Sequence, residues 1–134
     1  FAAYPVVVRI GGEYHVRSIQ KLEEDGSLRF YCGIDEGLVL TVAKGLDIAR
    51  SLEGAFDDLK IDPGSREIIL GFDCILRRIE AEQSQKTLEV SAILRRNKVL
   101  GFSTYGEQFK SMHVNQTFTG VVIGMPRAAE LAAN

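Results

Sequence analysis

The chain has 134 residues, 46% of them hydrophobic, and a formal net charge of −2. That is length for one domain with a substantial core, and the near-balanced charge argues against nucleic acid as a partner. No apolar run approaches the ~20 residues that span a bilayer, so no membrane partner is expected.

Tyr4 to Ile10 alternates apolar residues on one face, as a half-buried strand does. Gly11-Gly12 is a tight hairpin signal, and Glu13 to Ile19 reads as the returning strand. Its apolar parity shifts between Val16 and Ile19, which predicts a bulge there. His15 falls with Glu13 and Arg17 on the polar face, which predicts that it is exposed. Asp25-Gly26 marks a second turn and Ser27 to Gly33 a third strand. Leu38 to Ala43 is apolar on both faces, the pattern of a covered central strand.

An amphipathic helix follows over about Asp47 to Lys60. Ile48, Leu52, Ala55, Phe56 and Leu59 form its apolar stripe, Asp47 its cap, and Asp62-Pro63-Gly64 its stop. Glu67 to Asp73 is the next apolar strand. The segment from Cys74 to Asn97 reads as helical, at least over Gln83 to Arg96. Val99 to Ser103 and Thr117 to Gly124 are the closing strands, and the Ala-rich tail after Met125-Pro126 suits a helix. The order is hairpin strands, then helix, strand, helix, strand, strand: an α+β fold with a mixed sheet. Its strand–helix–strand crossovers favour parallel pairing. The loops after Asp73-Cys74 and at Thr104-Tyr105-Gly106-Glu107 would then lie side by side at carboxyl strand ends, where ligands commonly bind. The chain enters strand structure almost at its first residue, Phe1, so residues 1–134 are expected to be one domain of a longer protein.

The stretch from Gly101 to Gly120 crowds polar groups between two strands. Such a run either folds an awkward turn or holds a ligand. Glu107, beside Gly106, would accept bonds from a ligand amine or from its own loop. Asn115 and Thr117 precede the last strand, where Asn stabilises a turn as readily as it contacts a ligand. Tyr105 offers a ring and a hydroxyl. Arg77 would clamp a carboxylate with its planar fork or lower the thiol pKa of Cys74, whose bland role is an inert buried thiol.

The cysteines are Cys32 and Cys74. They lack metal spacing and a disulfide framework, so reduced thiols in the cytoplasm are the default. Cys32 shares a face with Leu28 and Phe30, which predicts core packing. Cys74, His113 and Asn115 supply the residue types of a thiol catalytic site, but a Cys and a His in a chain of this length are expected by chance. No phosphate loop, dinucleotide fingerprint, zinc spacing or nucleophile elbow is present, and no enzyme activity is expected. No resident cofactor is implied by these motifs. Covalent haem is excluded by the lack of Cys-x-x-Cys-His, which leaves non-covalent haem as the one candidate.

The opening YPVVVRIGGEYHVRSI, the GFDCILRR segment, and GFSTYGEQF followed by HVNQTFTG together resemble the C-terminal domain of FIST proteins. The resemblance covers most of the chain. It implies a sensory input domain of prokaryotic signalling proteins, found beside histidine kinases, chemotaxis receptors and cyclic-di-GMP enzymes. It implies a small ligand, an amino acid or derivative, and an N-terminal FIST domain as partner. Carried over by motif, the ligand-binding positions are Cys74, Arg77, Tyr105, Gly106, Glu107, Asn115 and Thr117. Some relatives are haem proteins that sense nitric oxide, which would give His113 or His15 the ligand's role. The competing expectation is a structural module that forms a homodimer through exposed strand edges.

Overall fold

The computed structural model describes residues 4–59, 61 and 65–124, and it is an α+β fold. The expected helix stop at Asp62-Pro63-Gly64 and the expected helix in the Ala-rich tail lie outside the described residues. Strand β1 (Val6–Ile10) and strand β2 (Glu13–Arg17) form the expected hairpin around Gly11-Gly12. The returning strand does not run on through a bulge. It stops at Arg17, and β3 (Ile19–Leu22) joins a different pair with β4 (Leu28–Phe30). The parity shift therefore marks a change of sheet. The carbonyl of Ser18, at the joint, accepts from the Tyr31 N–H at 3.0 Å. The turn at Asp25-Gly26 is held by the Asp25 carboxylate, which accepts from the Ser27 N–H and hydroxyl at 2.9 and 2.7 Å.

Strand β5 (Leu40–Val42) corrects the expectation of a covered central strand. The order is β2-β1-β5, so β5 is an edge, and all its residues are exposed. An apolar run with no polar alternation looks the same whether its cover is present or lies outside the described residues. Cys32 is only half-buried and Leu28 is exposed, so the expected core role of that face is not realised. Among the described residues no layer packs on the short β3–β4 hairpin to bury that face.

Helix α1 (Ile48–Asp57) begins as expected, with Asp47 accepting from the Arg50 N–H at 2.9 Å. Ile48, Ala49, Leu52 and Phe56 bury its apolar face, whereas Ala55 is exposed at the edge of the stripe. The long helical segment is two helices, α2 (Ile75–Gln83) and α3 (Thr87–Arg96). They are separated where Gln85 takes a positive φ of 58°. These helices cover one face of a mixed sheet of order β10-β6-β7. Strand β6 (Arg66–Cys74) is central and parallel to β7 (Val99–Thr104), and β10 (Phe118–Gly124) is antiparallel to it. The parallel pairing follows from the helical crossover, as expected. Gly101 sits opposite Gly71 in this pair, and a Cβ on Gly101 would fall 1.7 Å from the Gly71 carbonyl oxygen, so only glycine fits.

The core lies between the helices and the inner face of this sheet. It joins α1 and Ile69 to Ala81, Val90 and Ile93. Phe56 meets Phe118 edge to face at 5.7 Å. The opposite face leaves Leu100 and Phe102 exposed. One hairpin was not foreseen: β8 (Glu107–Phe109) and β9 (Met112–Val114), joined through Lys110 and Ser111 at φ 48° and 64°. Positive φ at both central residues is the tight turn whose twist matches a hairpin, here made without glycine.

Candidate functional site

The parallel register places Cys74 opposite Thr104 and Asp73 opposite Ser103, so the two strand ends lie side by side, but α2 starts at Ile75 and leaves no loop after Cys74. Five of the seven expected site residues meet there. Glu107 is 3% exposed and accepts from the hydroxyls of Thr104 and Thr117, the latter at 2.6 Å. The Thr117 carbonyl accepts from the Cys74 N–H at 3.1 Å. Cys74 and Asn115 are fully buried, and the Asn115 Oδ1 has no partner among the described residues. Arg77 donates from Nε to Asp73 Oδ1 at 2.7 Å, one helical turn away. Burial pushes the Asp73 carboxyl above its ordinary value; Arg77 opposes the rise and the nearby Glu107 charge adds to it.

The other two expected residues stand apart from this cluster. Tyr105 is 92% exposed at the loop tip. Gly106 has φ +150°, and a Cβ there would lie 2.0 Å from His113 Nε2, so the imidazole of an exposed His113 rests on the glycine. No hydrogen bond joins His113 to Cys74 among the described residues, and the thiol is sealed, so the triad geometry is not formed. The polar run thus folds into a tight hairpin pinned to the sheet by Glu107.

On either side of this wall is a cavity. The smaller, about 150 Å³, lies between the β1 start, the β2 end and α2. It is lined by Arg17, Ser18, Glu80, Gln83 and Gln116 over an apolar floor that includes Val6 and Leu76. Arg17 is only 7% exposed, contrary to the exposure expected of the β2 polar face. Its Nη1 donates to the Val16 carbonyl at 3.2 Å, and its Nε has no partner. No carboxylate lies within 4.0 Å of the guanidinium among the described residues. Gln116, at φ 53°, spans the cavity wall. It accepts from Ser18 Oγ at 3.4 Å and donates to Glu80 Oε2 at 3.0 Å. Glu80 lines the cavity, and its Oε1 makes no hydrogen bond among the described residues.

The larger cavity, about 370 Å³, lies under α1 against β10 and is lined by Thr117, the very next residue. His15, also expected on the surface, is 7% exposed and faces this space.

Arg17, Glu80, Gln116 and His15 were not among the sequence candidates. The signal that points to two of them is β1: Val6, Val7 and Val8 are all buried, so both faces of this hairpin are covered. The part of the polar face of β2 that pairs with Val6 and Val8, at Arg17 and His15, is thereby cut off from water.

A family model for the FIST C domain matches residues 1–110, well over half of the chain. The chain belongs to the FIST C domain family. FIST C domains are sensory modules associated with signal transduction rather than catalysts. The match ends within the β8–β9 hairpin, so Asn115, Gln116 and Thr117 lie beyond it. No curated protein and no solved structure matches this FIST C domain. None of its helices is long and apolar enough to cross a membrane among the described residues.

Proposed function

We propose that this FIST C domain is a non-catalytic input module that senses a small zwitterion of the amino-acid class in the cavity at Arg17. The observation that carries this reading is the Arg17 guanidinium: nine-tenths buried, without a carboxylate partner among the described residues, and lining a cavity. A buried charge without a partner is costly, so such a group calls for an anion to complete it. Arg17 takes the ligand carboxylate as a planar fork. Glu80 takes the ammonium, and Gln116 orients Glu80. A volume of about 150 Å³ limits the ligand to a short side chain. In this reading Glu107, Asn115 and Thr117 frame the wall, and Asp73 holds Arg77 beside it.

Signalling follows from the cavity's position. It has β1 and β2 on one side and α2 on the other, so a bound ligand ties the two halves together. That gives the ligand different affinity for the closed and opened arrangements, which a neighbouring N-terminal FIST domain or an output domain such as a histidine kinase would read.

Calorimetric titration with glycine and alanine tests this, with acetate and methylamine as half-ligands. Binding of the zwitterions but not the half-ligands is expected, lost in Arg17→Met and weakened in Glu80→Gln. Binding that survives Arg17→Met in a folded protein rejects the assignment.

A further inference from the structure

The larger cavity makes no part of the zwitterion site, and its chemistry is different. Its walls carry three phenylalanine rings, Phe56, Phe109 and Phe118, with Leu59, Val114 and Val122. Against this apolar lining stands one buried imidazole. His15 is more than nine-tenths buried and makes no side-chain hydrogen bond among the described residues, yet it lines the cavity. Thr117, whose hydroxyl donates to Glu107, lines the cavity with Thr119 and the exposed Glu13 and Tyr14.

We infer that this cavity is a second ligand site, built for a neutral, two-ring aromatic molecule with one hydrogen-bonding substituent. Four properties converge on that class. Aromatic walls favour edge-to-face contact with a flat ring. A volume of about 370 Å³ is about two and a half times the ~150 Å³ that holds one benzene ring, which suits a two-ring molecule with a substituent. A single imidazole with no protein partner provides a donor or an acceptor for one substituent, according to its tautomer. Among the described residues no Lys or Arg lines the cavity, which leaves a carboxylate there without a cation partner from its walls. A few placed polar groups in a mostly apolar cavity is the usual make-up of a small-molecule site. The inference stands independently of the Arg17 site, because the two cavities share no lining residue.

The test uses 2-naphthol, followed by its own fluorescence, and naphthalene as the partner lacking the hydroxyl. The chain has no tryptophan to interfere. Saturable one-to-one binding of 2-naphthol is expected. Ala55→Phe, which fills the cavity from the exposed flank of α1, weakens it by about tenfold or more. His15→Leu weakens 2-naphthol about fivefold, the worth of one hydrogen bond, and leaves naphthalene within about twofold. Methyl shifts of Val114 and Val122 on the unmodified protein locate the probe even where a variant fails to fold. Three results overturn the inference: no saturable binding to the folded protein, binding that moves neither methyl, or an equal loss of both probes in His15→Leu.

Discussion

Glu107 makes the case for reading one residue by its partners. A buried carboxylate with both oxygens met by threonine hydroxyls stitches the start of β8 to the entry of β10. Glu107→Ala leaves the half-buried Thr117 hydroxyl without its acceptor and Thr104 with only the Asp73 carbonyl at 3.5 Å, and is expected to cost about 1–3 kcal/mol in urea unfolding. Glu107→Gln keeps the shape and one acceptor and should cost clearly less. Equal losses would mean that the charge, rather than the geometry, holds the loop. Arg17 predicts the opposite sign. Its unpartnered charge destabilises the ligand-free fold, so Arg17→Met should raise apo stability by about 1–3 kcal/mol while abolishing the zwitterion response. Asp73 carries a pH signature. Its folded-state carboxyl is raised above the ordinary 3.8, mainly by burial. A raised group binds its proton more tightly when folded, so its contribution is full below 3.8 and is lost as pH rises through the folded value. The stability difference between the parent and Asp73→Asn should therefore shrink as pH rises above 3.8 and then level off. A flat difference would show that Arg77 fully offsets the burial.

At the scale of elements, termini decide where helices stop. The C-terminal end of α1 is closed by a buried arginine from the next strand. Arg66 donates to the Ile61 carbonyl at 2.7 and 3.0 Å, and more weakly to those of Leu59 and Phe56. A cation on the last carbonyls also suits the helix dipole. Arg66→Met is expected to fray this end, with faster amide exchange at Asp57 to Leu59 and a loss of about 2–3 kcal/mol. Unchanged exchange there would assign the capping to other groups. The β8–β9 hairpin shows why its sequence was hard to read: its turn uses Lys110 and Ser111 in a conformation that glycine and asparagine normally supply. Asp47, by contrast, caps α1 from a position where the local signal is standard.

Across the whole molecule, the two faces of one sheet behave differently. The inner face of β10-β6-β7 meets three helices, and the outer face meets none among the described residues. Phe56→Ala empties the covered side and should cost about 3–5 kcal/mol. Phe102→Ser, on the outer side, should cost under about 1 kcal/mol, because Phe102 is already 65% exposed and gives up mainly its contact with Phe72. A comparable loss from both would mean that the outer face is covered in solution.

The sequence by itself determined the α+β class, the amphipathic helix that begins at Asp47-Ile48 and the parallel crossover, because each rests on local chemistry or short-range periodicity, while the FIST resemblance rested on its matching motifs. It also placed the strand ends at Cys74 and Thr104 together, since a helical crossover leaves a parallel pair little choice, though the loop expected after Cys74 is the first turn of α2. Which face of a strand is covered is another matter. Period-two alternation says that two faces differ and says nothing of what packs on either. That is why β5, read as central, lies at an edge, and why His15 and Arg17, read as exposed, are buried against cavities. Only the tertiary structure brought Arg17 to Glu80 and Gln116 across sixty-odd and about a hundred residues of chain, because burial and partner choice depend on elements that the local sequence never meets.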